Sequence, residues 1–585
     1  MPKEEEVLTR LKEQGLPGFS GAKGGGPVQP TRYTVSLLSG SQLKIFPSTK
    51  QVAEHLYHEE RATFSVASNT WTFPVTAWEG LQRSLPALSV SGPPNSLIAY
   101  LAAKQREKGG AGGDEIATCL FIRGSTEKID LFPFQQDSVR QAAQQNYRIL
   151  IADDMGLGKT IQAIAIATTY MKNHGTQGRA LLVIAPATLR ADWGVEAVKY
   201  LTDRACSVEE YLATKENTGG EVVVVIDTYQ MVTKKIERLD EKCFFMAIVD
   251  ESHSLKNSES QRGTHIVPFL VQMKHVVLLS GTPALSRPLE LFTQISIAAP
   301  GMFNEREYSE RYCRISEAHE KRLKPTFRMG LRHTLYTGER NPEELRIAIS
   351  SFFIRRTKSE VLRLAPKRRV KVLFNTELAR PRKNLAITDH PTQDKLAEFR
   401  AAAIEKQPDT LEYLKNFRQQ TQDKIIVFAH HVDFLSAIFA GFSDRAIKID
   451  GSTPTAKRSQ ILNQFKTDPK IDVAVLSLTT CSAGLNLTCA NIVIFAELFW
   501  TPGDIFQAEN RVHRIGQQKK VEVYYLIGSW SDHGMWLKML SKEKTLKNIG
   551  VSDIALKNIE TAEFTPGQKS LLMYNTHQAS TKNAF

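Results

Sequence analysis

Two blocks of short apolar runs constrain this 585-residue chain more than any other feature of it. The first block begins at about residue 130 and holds RILIAD, ALLVIAP, EVVVVID, FFMAIVD and HVVLLSG. The second holds KIIVFAHH, AIKIDGS, DVAVLSL, NIVIFAE and VEVYYLI. Each run ends on a polar or turn residue, and amphipathic stretches separate the runs. Strands that are apolar throughout, without alternation, are buried on both faces, which requires helices on both sides of a parallel sheet. Between about Pro300 and Pro408 the pattern gives way to a charged, helical stretch. The expected fold class is therefore α/β: two lobes of parallel sheet flanked by helices, with a helical insertion between them.

A different pattern precedes these blocks. Residues 15–30 are rich in glycine and proline, and residues 1–30 read as a flexible lead-in. RYTVSLLSGSQLKIFP (Arg32 to Pro47) alternates as a hairpin does, and STKQVAEHLYHE (Ser48 to Glu59) reads as a capped helix. ATFSVASNTWTFPV (Ala62 to Val75) reads as two strands about the turn at Ser68–Asn69, with the short helix TAWEGLQRSL after it. Residues 31–103 are thus expected to form a small α+β module, and 104–129 a linker. The remaining partition places the first lobe at 130–370 with its insertion at about 300–370. A connector follows at 371–415, the second lobe at 416–555 and a loosely ordered tail at 556–585.

A net charge of +13 favours a polyanionic partner. No uninterrupted apolar stretch of about 18 residues is present, so no membrane span is expected. The opening MPKEEE has no apolar region, so no secretory signal is expected. Six scattered cysteines without C-x-x-C spacing fit a reducing compartment and argue against a zinc ribbon.

Three strings carry chemistry. In RILIADDMGLGKT a strand feeds a glycine-rich turn that opens a helix. Backbone N–H groups of such a loop, here Asp154, Met155, Gly156, Leu157 and Gly158, can wrap phosphates. Lys159 would reach the β and γ phosphates and the Thr160 hydroxyl would bind magnesium. Asp153 stands where the first glycine of such a loop usually lies. In FFMAIVDESH a strand ends on consecutive carboxylates. Asp250 would hold magnesium and Glu251 would orient and deprotonate the attacking water. In QAENRVHRIGQ, Arg511 and Arg514 are three apart and are expected on one helix face. They lie over 350 residues from Lys159, so a role at phosphates requires one lobe to fold onto the other. Weaker signals are SGTP (Ser280 to Pro283), His253 and Gln135. Ser280 and Thr282 could sense the γ-phosphate, His253 could couple neighbouring motifs, and the Gln135 amide could read adenine.

The ordered set FPFQQDSV, ADDMGLGKT, VIAPATLRADW, VVVIDTY, IVDESH, LLSGTP, FFIRRTKSEVL, IIVFAHH, IDGSTPTAKRSQILNQF, LTTCSAGLNL and QAENRVHRIGQ resembles the Swi/Snf-type ATPases of helicase superfamily 2, over roughly residues 130–550. The resemblance implies two RecA-like lobes gripping the minor-groove side of duplex DNA, with ATP and magnesium (Mg2+) as cofactors. It implies that Gln507 works with His253, Ser280 and Thr282 in coupling. It also implies that Pro186, Thr188 and Arg190, with Gly451, Ser452 and Thr453, lie along the DNA track. SGTPALSRPLELFTQI and FAELFWTPG are similar to the annealing-helicase, SMARCA-like branch. Cys481 and Ser482 stand where most family members carry a double glycine. ATFSVASNTWTFPVTAWEGLQRSL resembles a HARP domain, which implies DNA contacts for Trp71 and Trp78; a small aromatic core is the alternative, and the two are compatible. The function this implies is an ATP-driven translocase on branched, forked DNA without sequence specificity. It would be nuclear, would act in DNA repair and replication-fork remodelling, and would work as a monomeric motor with replication or repair factors as partners. The alternatives are a nucleosome-remodelling ATPase, for which no histone-recognition region is evident, and a non-catalytic DNA-binding scaffold, against which the intact motifs argue.

Overall fold

The apolar runs form two sheets, each of seven parallel strands among the described residues. The computed structural model describes residues 33–46, 52, 55–56, 59, 61–65, 68–85, 90–107, 113–202, 204–214, 222–315, 336–362, 364–374, 393–478, 487–499, 501–552, 556–557 and 559–565. The expected flexible segment 1–30 and the departures at Cys481 and Ser482 lie outside them. Among the described residues no helix is long and apolar enough to cross a membrane.

The N-terminal module is a five-stranded sheet of β1 (Tyr33–Ser39), β2 (Gln42–Phe46), β3 (Thr63–Ser65), β4 (Thr70–Pro74) and β5 (Val90–Ser91), in the order β3-β4-β2-β1-β5. Alternation in β1 buries Tyr33, Val35 and Leu37 and exposes the residues between. Both expected hairpins form, and the left-handed turn at Asn69 sits between β3 and β4. The expectation that Trp71 and Trp78 meet DNA is corrected here: each is only 5% exposed. Phe73 stacks on Trp78, and Trp71 packs on Phe64, so both indoles belong to the module's core. That core is continuous with the first lobe's. The Ser96 hydroxyl donates to Glu307 at 2.6 Å, which docks the module on the insertion.

The described residues of the segment expected as a linker carry regular structure. The helix Asn95–Glu107 runs into it, and β6 (Cys119–Phe121) and β7 (Lys128–Asp130) form a hairpin. The first lobe's sheet then comprises β8 (Arg148–Ile151), β9 (Ala180–Ala185), β10 (Arg204–Cys206), β11 (Val223–Thr228), β12 (Phe244–Asp250), β13 (Val276–Leu279) and β16 (Phe353–Ile354). Their order is β10-β11-β9-β12-β13-β8-β16. The insertion carries helices Glu305–Tyr312 and Pro342–Ile349 and the small pair β14 (Cys313–Ile315) and β15 (Tyr336–Glu339). Arg311 grips Glu344 with two nitrogens, at 3.0 and 2.6 Å, and the Tyr312 hydroxyl adds a third bond at 2.9 Å.

The second lobe is larger than its apolar runs suggest. Its strands are β17 (Lys367–Leu373), β18 (Ile425–Ala429), β19 (Ala446–Ile449), β20 (Val473–Ser477), β21 (Ile492–Phe495), β22 (Val521–Ile527) and β23 (Glu560–Glu563), ordered β19-β20-β18-β21-β22-β17-β23. Residues 367–373 therefore belong to this sheet rather than to the first lobe and a connector. Residues 560–563 form its edge rather than a loose tail. KRRVKVL does not read as a buried strand because its cations are neutralised only in the fold. Lys367 and Arg369 both bond Glu509, at 3.1 and 2.7 Å, and Arg368 pairs with Glu560. The helix Trp530–Asn548 then returns to the first lobe. There Thr545 and Asn548 donate to Glu339 at 2.7 and 2.8 Å, and Leu546, Ile549 and Val551 enter the shared core.

Glu509 is fully buried, and Tyr525 bonds it as well. Burial would raise its carboxyl, but Arg369 and Lys367 outweigh burial and hold it at about 2, against an ordinary 4.5. Stability from this cage is therefore present above the ordinary carboxylate range and lost as pH falls toward 2. Glu509→Ala, which strands two buried cations, should cost about 3–5 kcal/mol in denaturant unfolding. A loss under 1 kcal/mol would show that the cage does not hold the lobe.

Candidate nucleotide site between the two sheets

Parallel strands all present their C-terminal ends on one edge, and ligand groups gather there. At that edge β8 runs into Asp153–Gly158, and the helix Lys159–His174 opens immediately after. Gly156 and Gly158 have φ of 91° and 74°, a backbone that side chains rarely adopt. A Cβ on Gly158 would lie 2.7 Å from the Gln135 amide nitrogen, and one on Gly281 would lie 2.3 Å from Met155 Cγ. The loop is thus a close-fitting cradle that tolerates no added atoms. The Lys159 ammonium donates to the carbonyls of Asp153 and Asp154 at 2.8 and 3.3 Å. Burial lowers its pKa, and Glu251, Asp153, Asp250 and Asp154 oppose that.

Asp153 is buried behind the loop. Its Oδ2 accepts from Gln162 at 3.1 Å and Arg356 at 3.3 Å, while its Oδ1 finds no partner. Burial raises its pKa against Arg356. This residue, which replaces a glycine, anchors the loop from below. Gln135 also grips the loop. Its oxygen accepts from the Phe132 N–H and its nitrogen donates to the Leu157 carbonyl, at 3.0 and 3.1 Å. An amide can make four bonds, so these two leave capacity for a base.

Asp250 closes β12 and Glu251 follows in the left-handed region, φ 50°, which is uncommon for a residue with a Cβ. Asp250 Oδ2 accepts from the Trp193 indole at 2.9 Å, and Tyr229 donates its hydroxyl to the Asp250 carbonyl at 2.6 Å. Burial, then the neighbouring Glu251 charge, raise the Asp250 pKa. For Glu251 burial acts upward but is outweighed by His253 and Lys159, so its pKa falls. His253 Nδ1 lies 3.3 Å from Glu251 Oε2 and 3.0 Å from the Ser280 hydroxyl. Ser280 in turn accepts from the Thr282 N–H at 3.3 Å. Ser252 bonds Gln294 at 2.8 Å, and Gln294 bonds the Pro283 carbonyl at 2.6 Å. DESH and SGTP are therefore one network. Trp193, Tyr229 and Gln294 in it were not assigned roles from sequence, although each lies in a recognisable string: ATLRADW, VVVIDTY and SGTPALSRPLELFTQI.

The second lobe meets this network directly. Gln507 donates to the Thr282 hydroxyl at 2.8 Å. Gly503 packs so closely that a Cβ there would lie 2.3 Å from Leu285 Cδ2. Arg511 is buried, and its pKa is lowered by burial and raised by Glu251. Arg514 does not share its helix face, because the helix Pro502–Val512 ends first and HRIGQ turns through Gly516 at φ 98°. The turn instead seats Arg514 against the phosphate loop, where a Gly156 Cβ would lie 2.9 Å from Arg514 Cβ.

These residues fit a magnesium-bound triphosphate. The cradle has no room for side chains, and Thr160, Asp250 and Glu251 offer the hard oxygen donors that magnesium prefers. The expected DNA-track residues occupy two other strand ends. Pro186–Arg190 follow β9, and Arg190 bonds the Ile226 carbonyl at 3.3 Å and lies 3.7 Å from Asp227. Gly451–Thr453 follow β19, where Asp450 accepts from the Ser452 N–H at 2.9 Å.

Residues 50–424 match the SNF2-related domain and residues 406–516 the helicase conserved C-terminal domain. The chain is 36% identical over 459 residues to the SWI/SNF-related matrix-associated actin-dependent regulator of chromatin subfamily A-like protein 1 of Drosophila melanogaster, covering 75% of this chain and 58% of that one. The Xenopus tropicalis protein of that name is 34% identical over 477 residues, covering 77% and 48%. The DNA annealing helicase and endonuclease ZRANB3 of Bos taurus is 35% identical over 437 residues, covering 70% and 39%. The chain spans about half the length of these relatives. Among solved structures, the Sulfolobus solfataricus SWI2/SNF2 ATPase core in complex with dsDNA aligns at 20% identity and a TM-score of 0.35, covering 75% of this chain and all of that one.

Gly503→Ala should force the second lobe away from Leu285. Hydrogen exchange should rise in 282–285 and in the helix Pro502–Val512 while far-UV circular dichroism is retained. Unchanged exchange would mean that this close approach does not persist in solution.

Proposed function

The chain belongs to the SNF2-related family, and from that premise we propose that it is a DNA-dependent ATPase that translocates on branched DNA and reanneals strands or remodels stalled forks. One observation carries this reading. Lys159, the Asp250–Glu251 pair and two arginines from the other lobe converge on a single cleft, although more than 350 residues separate them in sequence. A site divided in this way is complete only when the lobes meet, so hydrolysis depends on lobe position. The relatives that share this core over most of this chain include proteins named as annealing helicases.

In this reading ATP is the substrate. Backbone N–H groups of Asp154–Gly158 hold its phosphates, and Lys159 exchanges two carbonyl bonds for phosphate oxygens. Thr160 and Asp250 would hold magnesium, which neutralises phosphate charge when bound. Glu251, kept ionised by His253 and Lys159, accepts a proton from the attacking water. Arg511 and Arg514 stabilise charge on the transferred phosphoryl group. Gln507, Thr282 and Ser280 form a hydrogen-bonded line from the second lobe to His253, whose Nδ1 lies 3.3 Å from Glu251, and this line links hydrolysis to lobe movement. The base Gln135 reads is adenine, with the amide capacity that its two loop bonds leave.

Pro186, Thr188 and Arg190 on one lobe, and Gly451, Ser452 and Thr453 on the other, track the duplex backbone. Contacts of this kind lack sequence information and weaken steeply with salt. The N-terminal module, docked on the insertion, acts at the branch point through its surface rather than through Trp71 and Trp78. The same reading places the protein in the nucleus with replication or repair factors.

Arg514→Ala should lower DNA-stimulated turnover by about 10³-fold or more with little change in DNA binding. Glu251→Gln should retain bound ATP while abolishing hydrolysis. ATPase assays with no DNA, linear duplex, single strand, a model fork and nucleosomes test the substrate, with strongest stimulation expected from the fork. Greater stimulation by nucleosomes than by their free DNA would overturn the branched-DNA reading, and no stimulation by any of them would overturn the motor.

A further inference from the structure

The four residues Arg355–Lys358 lie where the chain leaves the first sheet for the second, directly after β16. No role attaches to them in the reading above, yet they touch both halves of the nucleotide site. Arg355 bonds Asp154 Oδ1 at 3.2 Å and the Ala152 carbonyl at 2.8 Å. Arg356 reaches Asp153 at 3.3 Å and also holds Asp137 at 2.6 Å. The Lys358 N–H donates to Asp154 Oδ2 at 3.2 Å. This segment therefore grips the phosphate loop by both of its aspartates.

The side chain of Lys358 points the other way. It is buried, its Cε passing 3.8 Å from where a Gly156 Cβ would stand. Its ammonium donates to Asn510 Oδ1 at 2.9 Å and to the His513 carbonyl, both in the second lobe. These two acceptors flank Arg511, and His513 immediately precedes Arg514. His513 is held a second time, through 2.9 Å between its Nε2 and the Ala365 carbonyl of the same connection. A buried lysine without a carboxylate partner is expensive. Burial, then Lys367, drive its pKa down to about 6. A lysine buried at that cost, with its amine bonded to a helix end of the other lobe, is explained by what the contact holds in place.

We propose that Lys358 is a positioning residue that ties the phosphate loop to the helix end bearing Arg511 and Arg514, so that closure of the lobes delivers both arginines in register with the loop. The proposal rests on the ATPase reading for its kinetic consequence, but the tie itself does not.

The test uses the full chain, with Lys358→Met, which preserves length and removes the donor, and Asn510→Ala, which removes one acceptor from the other lobe. Turnover on duplex DNA should fall about tenfold to a hundredfold for Lys358→Met, with the KM for ATP nearly unchanged. Lys358→Met combined with Arg514→Ala should be no slower than Arg514→Ala alone, because Lys358 acts through the arginine. Hydrogen exchange at 511–517 should rise in both single variants without nucleotide, while exchange in β18 and β21 stays unchanged. Multiplying losses in the double variant, a raised KM with unchanged kcat, or unmoved exchange at 511–517 would each overturn the proposal. The exchange measurement decides the tie even for a chain that fails to hydrolyse ATP, an outcome that would overturn the ATPase reading alone.

Discussion

The cleft between the sheets buries charges that no single element could bury alone. Lys159, Asp250, Glu251 and Arg511 each suffer desolvation, and each is supported by the opposite charge of another. An isolated buried charge would neutralise itself by shifting its pKa. Together these groups offset part of one another's burial, and the set spans two lobes. The arrangement couples chemistry to geometry: separating the lobes removes the arginine from the carboxylates and changes the electrostatics of both. The connection at Arg355–Lys358 borders this cluster, binding the loop's aspartates on one side and the arginine helix on the other.

The insertion gives the molecule its second organising point. The N-terminal module docks on it through Ser96 and Glu307, and the returning helix Trp530–Asn548 docks on it through Glu339. Its own integrity rests on the Arg311–Glu344–Tyr312 cluster. A body tied both to the module and to the tail of the second lobe can transmit movement of that lobe to the module. That gives the module a mechanical place in the motor reading without any exposed tryptophan.

Much of this was legible in the sequence. Strands buried on both faces announce themselves as apolar runs, and every such run became a strand of the expected sheet. The phosphate loop, the paired carboxylates and the arginine string were equally visible, because local spacing makes them recognisable. What escaped notice was neutralised by distant partners. KRRVKVL looked like part of a charged insertion because Glu509, Glu522 and Glu560 lie far along the chain. The strand Glu560–Glu563 looked like tail for the converse reason, being polar and needing only the edge beside β17. Arg514 looked like a helical partner of Arg511 because three-residue spacing does not reveal where a helix stops.

The sequence by itself determined the fold class and the two-lobe division and singled out the groups proposed here to handle phosphate, since periodicity and short motifs are local properties. Only the tertiary structure decided that Asp153 supports the loop from beneath, that Trp71 and Trp78 are core, and that Lys358 bridges the lobes. Each of those roles depends on what surrounds a side chain after burial. Desolvation and charge pairing act between residues brought together by folding, and no local pattern records them.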